Sequence, residues 1–335
     1  MASHDRIGVL LANTGTPNDY SPRSVRTYLA EFLMDPAICP MNPVAWWFIL
    51  HLFILPKRGV ASGAKYEQIW TEEGSPLLVV SERIERLVGD ELAREGYDVV
   101  VRCGMSYGEP SIRSRLVQMR EAGCTRLVVL PMYPQNAFSQ AGSVRGVFDK
   151  AIKKLRWDVP VDFLGDYSDN PVYIKAVADS ILAAGFEPDS SDRLLFAYHS
   201  IPLVDIENGD TYELTTDATS LAVAGELGID RKRWTIGYQC RFDKEREWLS
   251  PFVNDVLARW AQAPTGRMFY VCPNFAVDCL ETLYDIDREH IPFYYERIRE
   301  AGGDPQAEQV VRVPCLNDGE AHIMVLKDVL RPYLK

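Results

Sequence analysis

The stretch LLFAYHSIP, residues 194–202, combines a continuous apolar run with an abrupt change to polar residues. Four apolar residues lead into Tyr198, His199 and Ser200, and Pro202 closes the segment. A run that is apolar at every position, without alternation, is typical of a strand buried on both faces of a parallel sheet. His199 stands at the junction of run and turn, so its position alone does not distinguish a core histidine from a functional one.

The same pattern recurs along the chain, with longer amphipathic stretches between the apolar runs. Buried strands that alternate with helices indicate an α/β architecture with parallel sheets. The predicted strands are residues 7–12, 99–104, 126–133, 161–165, 193–199, 233–239 and 267–273. The predicted helices include residues 21–33, 81–96, 110–123 and 170–185.

The order of these elements repeats, with one series beginning at Ile7 and another at Arg193. A chain of 335 residues is also long enough for two hydrophobic cores. We therefore predict two similar Rossmann-like domains, each a parallel sheet flanked by helices, facing each other across a cleft. The expected bounds are 1–168 for the first domain, completed by a C-terminal helix at 319–335, and 169–318 for the second.

Composition and charge narrow the class of protein. The apolar fraction of 47% and the charged fraction of 25% are those of an ordinary soluble protein. The net charge of −11 argues against a nucleic-acid-binding protein, which needs a basic surface. Seven cysteines without a CxxC pair suggest reduced thiols in a cytosol. The N-terminal sequence MASHDRIGVLLANTG lacks the pattern of a signal peptide, so a cytoplasmic location is expected.

Hydrogen-bonding and aromatic residues follow most of the predicted strands. Ligands of open α/β sheets bind beyond the carboxyl ends of the strands, so we expect His199 at the mouth of the cleft. No glycine-rich dinucleotide or P-loop motif follows a strand, so the sequence does not support a nucleotide site. The strand ends read Asn13-Thr14-Gly15, Ser106-Tyr107-Gly108, Tyr133-Pro134-Gln135, His199-Ser200, Tyr238-Gln239 and Pro273-Asn274-Phe275.

The segment CPNFAVDCLETLYDIDREH, residues 272–290, carries four carboxylates at helical spacing. They are Asp278, Glu281, Asp285 and Glu289. With Asn274 as the expected N-cap, a helix would place all four within an arc of about 80°. One interpretation is a solvated acidic face, partly relieved by Arg288. The other is a row of oxygen ligands that passes a divalent cation into the cleft, where His199 completes a transient metal site or an acid/base pair.

The segment MNPVAWWFILHLFILPKRG, residues 41–59, is apolar or aromatic from Val44 to Leu55 except at His51. This run is shorter than the ~20 residues that a membrane-spanning helix needs. It is compatible with a buried core helix. It also suits an exposed lip that binds a flat apolar ligand and a membrane surface, since tryptophans followed by Lys57 and Arg58 are typical of a membrane interface.

Together these motifs resemble the ferrochelatases, which insert ferrous iron into a porphyrin to make haem. The resemblance covers nearly the whole chain, and its most specific elements are the His-Ser-x-Pro and Asp-x-x-Glu-Thr-Leu motifs. The similar segments, in order, are LLANTGTP (10–17), WTEEGSPL (70–77), GMSYGEP (104–110), LPMYPQ (130–135), YHSIP (198–202), YQCRF (238–242), WLSP (248–251) and CPNFAVDCLETLYDID (272–287).

The resemblance implies a role for individual residues. His199 and Glu281 match the family's catalytic pair, which also contacts the metal. Asp278, Asp285 and Glu289 would form a path for the metal or for protons. The porphyrin-binding positions are Thr14, Arg58, Tyr66, Ser75, Tyr107 and Phe275. The expected partners are porphyrin, ferrous iron as substrate, and a membrane surface contacted peripherally through a lip at about residues 41–76, on the inner face of the membrane.

Two departures from the family pattern refine these expectations. Phe138 stands where some relatives have a cysteine that binds an iron–sulfur cluster, and no cysteine follows Cys315, so no cluster and no other tightly bound cofactor is expected. Thr14 stands where the relatives that use coproporphyrin have tyrosine, which favours protoporphyrin IX. The alternatives are a coproporphyrin ferrochelatase, a chelatase for another metal or tetrapyrrole, and a non-catalytic haem-binding or haem-transfer protein.

Overall fold

The computed structural model describes residues 6–241 and 243–334. Residues 1–5 of the N-terminal segment, Phe242 of the YQCRF motif and Lys335 of the predicted last helix lie outside the described residues. The chain divides into two compact units. The first holds the described residues up to Tyr133, Phe138–Gly165, and those from Asp318 onward, and the second holds Pro134–Ala137 and Asp166–Asn317.

The first unit is built on a four-stranded parallel sheet in the order β2-β1-β3-β4. Its central strand β1 is buried at every position except Thr14, as expected for a strand covered on both faces. Each fully buried leucine, such as Leu10 or Leu11, contributes about 1.5–3 kcal/mol to the free energy of unfolding. The strands are β1 (Ile7–Gly15), β2 (Val99–Tyr107), β3 (Arg126–Pro131) and β4 (Val161–Phe163).

The second unit repeats this topology in the order β6-β5-β7-β8, again all parallel. Its central strand β5 has the predicted bounds and pairs His199 with Gln239 of β6. The prediction of two parallel sheets flanked by helices is therefore confirmed, although the last strand had not been predicted. The strands are β5 (Arg193–His199), β6 (Trp234–Gln239), β7 (Arg267–Val271) and β8 (Gln309–Arg312).

The helices that flank the sheets often begin at residues suited to a helix start. Ser21, Asn42 and Asn170 accept hydrogen bonds from backbone N–H groups of the first turn, and proline follows each of them. The α-helices are α1 (Pro22–Leu33), α2 (Pro43–Ile49), α3 (Leu55–Ile69), α4 (Pro76–Arg94), α5 (Ile112–Glu121), α6 (Ser143–Leu155), α7 (Pro171–Ala183), α8 (Leu203–Glu207), α9 (Tyr212–Glu226), α10 (Val253–Trp260), α11 (Ile291–Glu300) and α12 (Glu320–Leu330).

Within the described residues, three helical segments have the wider π geometry, and short 3₁₀ turns are also present. The π segments are π1 (Leu50–Ile54), π2 (Phe138–Gly142) and π3 (Glu281–His290). The 3₁₀ turns are Arg231–Arg233, Pro305–Ala307 and Arg331–Tyr333. Two of the π segments, π1 and π3, fall in the two stretches that the sequence marks as functional, and π segments are frequent at functional sites.

Candidate active site

The strand order of the second unit places its candidate site beyond the carboxyl ends of its central strands. Strand β5 has β6 on one side and β7 on the other, so the connections that leave β5 and β6 run in opposite directions across the sheet. Open α/β sheets bind ligands at such a switch point, beyond the carboxyl ends of the strands. His199 ends β5, and the segment from Cys272 to Glu281 follows β7. The two predicted catalytic residues therefore follow neighbouring parallel strands.

The ring of His199 is held in one tautomer by a backbone carbonyl. Its Nδ1 lies 2.6 Å from the carbonyl oxygen of Ser200, which can only accept a hydrogen bond. The proton of a neutral imidazole is therefore on Nδ1, and Nε2 keeps its lone pair. The side chain is half-buried. Nε2 of this tautomer is the ring atom that can accept a hydrogen bond or a proton.

The segment after β7 is a loop, and the prediction that a helix follows Asn274 is wrong. The Asn274 side chain is buried and donates to the Tyr212 hydroxyl at 3.1 Å, so it does not cap a helix. The regular helix starts at Glu281 and is a π-helix, in which Ile291 N–H donates to the Ile286 carbonyl five residues back. The arc calculated for an α-helix therefore does not apply to these carboxylates.

Asp278 is the most deeply placed of the four carboxylates, and its oxygens bind neighbouring side chains. Thr282 Oγ1 donates to its Oδ1 at 2.7 Å, and Asn317 Nδ2 donates to its Oδ2 at 2.7 Å. Arg312 lies 3.7 Å from Oδ1. The backbone N–H of Asp278 in turn donates to Asn317 Oδ1 at 2.9 Å. These contacts fix the loop that leads from β7 to Glu281.

The other carboxylates become more exposed along the π-helix. Glu281 and Asp285 are half-buried, whereas Glu289 is exposed. The thiol of Cys279 lies 3.0 Å from Glu281 Oε2, and the thiol of Cys240 lies 3.7 Å from Asp285 Oδ2. Within the described part of the chain, no group of three or more His, Cys, Asp or Glu side chains is arranged to hold a metal ion.

The surroundings of the thiols near this loop favour their protonated form. Burial, together with the charge of Glu281, raises the pKa of the Cys279 thiol well above its ordinary value. Burial likewise raises the pKa of the Cys272 and Cys315 thiols, with Asp278 as a second cause in both cases. Each of these sulfurs therefore carries a hydrogen that it can donate.

The switch point of the first unit carries hydroxyl groups in place of carboxylates. The Thr14 hydroxyl, near the end of β1, is hydrogen-bonded to the hydroxyl of Tyr133, which follows β3. Ser75 is buried, and its Oγ lies 2.8 Å from Thr16 Oγ1. Tyr107, which ends β2, is buried and donates to Asp35 Oδ2 at 2.6 Å. The hydroxyls of these predicted porphyrin-binding residues thus make hydrogen bonds within the unit.

The remaining predicted porphyrin-binding residues differ in exposure. Tyr66 of α3 is buried and packs edge-on against Tyr28 and Trp70, with ring centroids 6.5 and 6.2 Å away. Arg58, also on α3, is exposed. Phe275 of the second unit is half-buried and packs against that unit's hydrophobic core.

The apolar segment of residues 44–55 forms part of one continuous helix, and most of its large side chains are in solvent. Phe53 is 67% exposed, Leu52 61% and Phe48 54%, while Leu50 and Leu55 are buried. The interpretation as an ordinary core helix is therefore wrong. Among the described residues, Pro43–Ile69 is the one helix long and apolar enough to cross a membrane by length and composition alone, with mean hydropathy 1.3 in its most apolar window.

Comparison with known proteins identifies the family. A sequence model of the ferrochelatases matches residues 6–334. Ferrochelatase from Nitrosococcus oceani is 36% identical over 330 residues, which cover 98% of this chain and 87% of that protein. Ferrochelatase 2 from Shewanella oneidensis is 35% identical, and the match covers 99% of each chain.

This chain belongs to the ferrochelatase family. It is a metal chelatase that inserts ferrous iron into a porphyrin to make haem, which confirms the predicted family and reaction. SirB from Bacillus subtilis with Fe³⁺ has the same fold, with a TM-score of 0.55 at 10% identity over 98% of this chain and 96% of that one. The sirohydrochlorin chelatase SirB from Bacillus subtilis subspecies spizizenii in complex with cobalt is similar, with a TM-score of 0.50 at 11% identity over 98% and 95%. At such identities the likeness shows the fold alone.

Several residues around the ferrochelatase site were not predicted from the sequence to be functional. Asn317 and Arg312 contact Asp278 and so hold the loop, although they lie 39 and 34 residues after it in the chain. No sequence motif links either residue to Asp278. Thr282 is part of the Asp-x-x-Glu-Thr-Leu motif, which could have suggested that its hydroxyl caps this loop. Tyr133 is part of the LPMYPQ motif and follows a predicted strand, so its position at the sheet edge was available as a signal.

Proposed function

We propose that His199 is the base that removes the pyrrole protons during iron insertion. Each Fe²⁺ that enters a porphyrin replaces two N–H protons, so the site needs a group that can accept a proton near neutral pH and release it to water. The hydrogen bond between His199 Nδ1 and the Ser200 carbonyl supports this role, because it leaves the Nε2 lone pair as the proton acceptor. This contact is the observation on which the proposal rests.

Glu281 and Asp285 are proposed to bind the incoming metal transiently. Fe²⁺ binds carboxylate and imidazole ligands, and it must leave again for the four ring nitrogens. Glu281 and Asp285 are half-buried, and Glu289, farther along the helix, is exposed. These carboxylates could bind the metal weakly, one after another, and release it to the ring nitrogens. Asp278 is proposed to hold the loop, since its oxygens already accept hydrogen bonds from Thr282 and Asn317.

Anaerobic insertion of Fe²⁺ into porphyrin, followed by absorbance, tests these roles. The variants His199→Ala and Glu281→Gln should each lose insertion by orders of magnitude while still binding porphyrin. Wild-type turnover in either variant would remove that residue from the proposed mechanism. Porphyrin fluorescence and thermal melts on the same preparations separate a loss of chemistry from a loss of binding or folding.

Protoporphyrin IX is proposed as the preferred porphyrin. The support is Thr14, which replaces the tyrosine of coproporphyrin-using relatives and has its hydroxyl bonded to Tyr133. The measurement is kcat/KM for protoporphyrin IX and for coproporphyrin III under the same conditions. A higher value for coproporphyrin III would reverse this assignment and leave the reaction itself unchanged.

The exposed apolar segment is proposed to bind porphyrin and the cytoplasmic face of the membrane as a peripheral lip. Burial of its apolar side chains in an interface would supply the binding energy, and Lys57 and Arg58 would attract anionic lipid headgroups. A membrane span fits less well, because the second half of the same helix packs closely on α1 and on the residues just before it. A Cβ at Gly59 would meet Arg26 Cγ at 2.3 Å, and one at Gly63 would meet the Tyr20 carbonyl oxygen at 2.7 Å.

Two variants of the same helix distinguish a lip from a core element. Phe53→Ala should reduce co-sedimentation with vesicles of phosphatidylethanolamine and phosphatidylglycerol while hardly changing the melting temperature. Leu50→Ala, at a buried neighbouring position, should instead cost about 2–5 kcal/mol of unfolding free energy. Unchanged vesicle binding for Phe53→Ala would contradict the membrane proposal.

The enzyme is also proposed to work in the cytoplasm without an iron–sulfur cluster. Phe138, at the start of π2, replaces the cysteine that some relatives use as a cluster ligand. Acid-labile sulfide in anaerobically purified protein would contradict this proposal.

A further inference from the structure

The thiol of Cys279 makes a direct contact with the catalytic glutamate. Its Sγ lies 3.0 Å from Glu281 Oε2, well within the range of a sulfur hydrogen bond. An ionised carboxylate has only acceptors, so the hydrogen between the two atoms belongs to the thiol. The contact therefore places a hydrogen-bond donor on one oxygen of the Glu281 carboxylate.

The backbone around Cys279 is fixed, so the thiol has a defined position from which to donate. The Cys279 N–H donates to Thr282 Oγ1 at 3.0 Å, and that hydroxyl donates to Asp278 Oδ1 at 2.7 Å. The Cys279 carbonyl accepts from Leu283 N–H at 2.9 Å. Asp278 is in turn held by Asn317 at 2.7 Å. This chain of contacts connects the thiol to the body of the second unit.

We propose that Cys279 is a positioning residue for iron insertion: its S–H orients the Glu281 carboxylate for the reaction. The inference rests on the proposed role of Glu281. Glutamate has three rotatable side-chain bonds, and without a donor at Oε2 its carboxylate samples several orientations at a half-buried site. Misplacement of a reacting group by about 1 Å can cost up to about 100-fold in rate. A single hydrogen bond from a neutral thiol to a carboxylate accounts for a smaller loss, of about tenfold.

The variants Cys279→Ala and Cys279→Ser test the donor rather than the volume of the side chain. Alanine removes the hydrogen, whereas serine keeps an O–H in nearly the same place. We expect kcat for Fe²⁺ insertion to fall about tenfold in the alanine variant and to return to within about threefold of wild type in the serine variant. KM for porphyrin should be unchanged in both. A purely structural role would not predict rescue by serine.

Cys124→Ala is the matched control, because it removes a buried thiol from the core of the first unit. It should lose stability without the drop in kcat. Equal kcat for wild type, Cys279→Ala and Cys279→Ser would overturn the proposal, and so would an equal loss in both Cys279 variants with unchanged melting temperatures.

A double variant separates this inference from the role of Glu281 itself. If Cys279 acts through Glu281, adding Cys279→Ala to Glu281→Gln should cause no further loss of kcat. A further tenfold loss in the double variant would overturn the positioning role. Full activity of Glu281→Gln would instead show that the proposed role of Glu281 is wrong, an outcome that the single Cys279 variants alone could not reveal.

Discussion

The two units share one sheet topology but carry different chemistry at their switch points. In the second unit the ends of β5 and β7 lead to His199 and to a loop of carboxylates and thiols. In the first unit the ends of β1 and β3 carry the hydroxyl pair Thr14 and Tyr133. Under the proposed roles, residues of the second unit serve proton and metal transfer, and most of the proposed porphyrin-binding residues lie in the first unit. The two units therefore differ in the side chains at their strand ends and not in their sheet topology.

The largest effect should come from the second unit's switch point. His199→Ala removes the proposed base, and general-base catalysis contributes about 10²–10⁴-fold to a rate. We expect a loss of kcat in that range, measured by anaerobic Fe²⁺ insertion, with porphyrin affinity preserved in a fluorescence titration. If porphyrin affinity fell by the same factor, His199 would act in porphyrin binding, and its proposed role as the base would lose its support.

The next effect concerns the loop that presents Glu281. Asp278→Asn removes charged acceptors that bind Thr282, Asn317 and Arg312, and should cost about 1–3 kcal/mol of unfolding free energy in a thermal or urea melt. Asn317→Ala should cause a similar loss from the other side of the contact. The double variant should then be less destabilised than the sum of the two. Additive losses would show that the two residues act independently.

A smaller effect is expected at the first unit's switch point. Thr14→Val removes a hydroxyl and keeps the shape of the side chain, so it should cost about 0.5–1.5 kcal/mol of unfolding free energy. KM for protoporphyrin should rise severalfold while kcat stays within a few-fold of wild type. Thr14→Ser, which keeps the hydroxyl, is the control. A loss of kcat comparable to that of His199→Ala would end the proposed division between the two units.

The long buried strands could be predicted because burial on both faces leaves a continuous apolar run in the sequence. Strand β5 has the predicted bounds for this reason. Strand β8 was missed because it has only four residues, none of them fully buried, and includes the charged Arg312. A short edge strand of this kind leaves little pattern to recognise.

The candidate site could be predicted only in part. The position of His199 follows from local sequence, since the end of an apolar run marks the end of a strand. The conformation of the loop before Glu281 does not follow from local sequence, because Asn317 and Arg312 contact Asp278 from distant positions in the chain. These contacts, and the hydrogen bond of Asn274 to Tyr212, compete with helix formation after Asn274. Helical periodicity also assumes α geometry, and π3 departs from it.

The smallest effect should appear along the outer part of the second unit's acidic segment. Asp285 is half-buried beside the Cys240 thiol, whereas Glu289 is exposed one turn farther out. If both guide Fe²⁺ towards Glu281, Asp285→Asn should raise the apparent KM for the metal severalfold and leave kcat nearly unchanged. Glu289→Gln should raise this KM less, because an exposed charge is screened within about 10 Å at 0.1 M ionic strength.

Raising the salt concentration should therefore reduce the difference between Glu289→Gln and wild type more than that between Asp285→Asn and wild type. Equal effects of the two variants at every ionic strength would favour a uniformly solvated acidic face, and the path for the metal would then have to begin at Glu281.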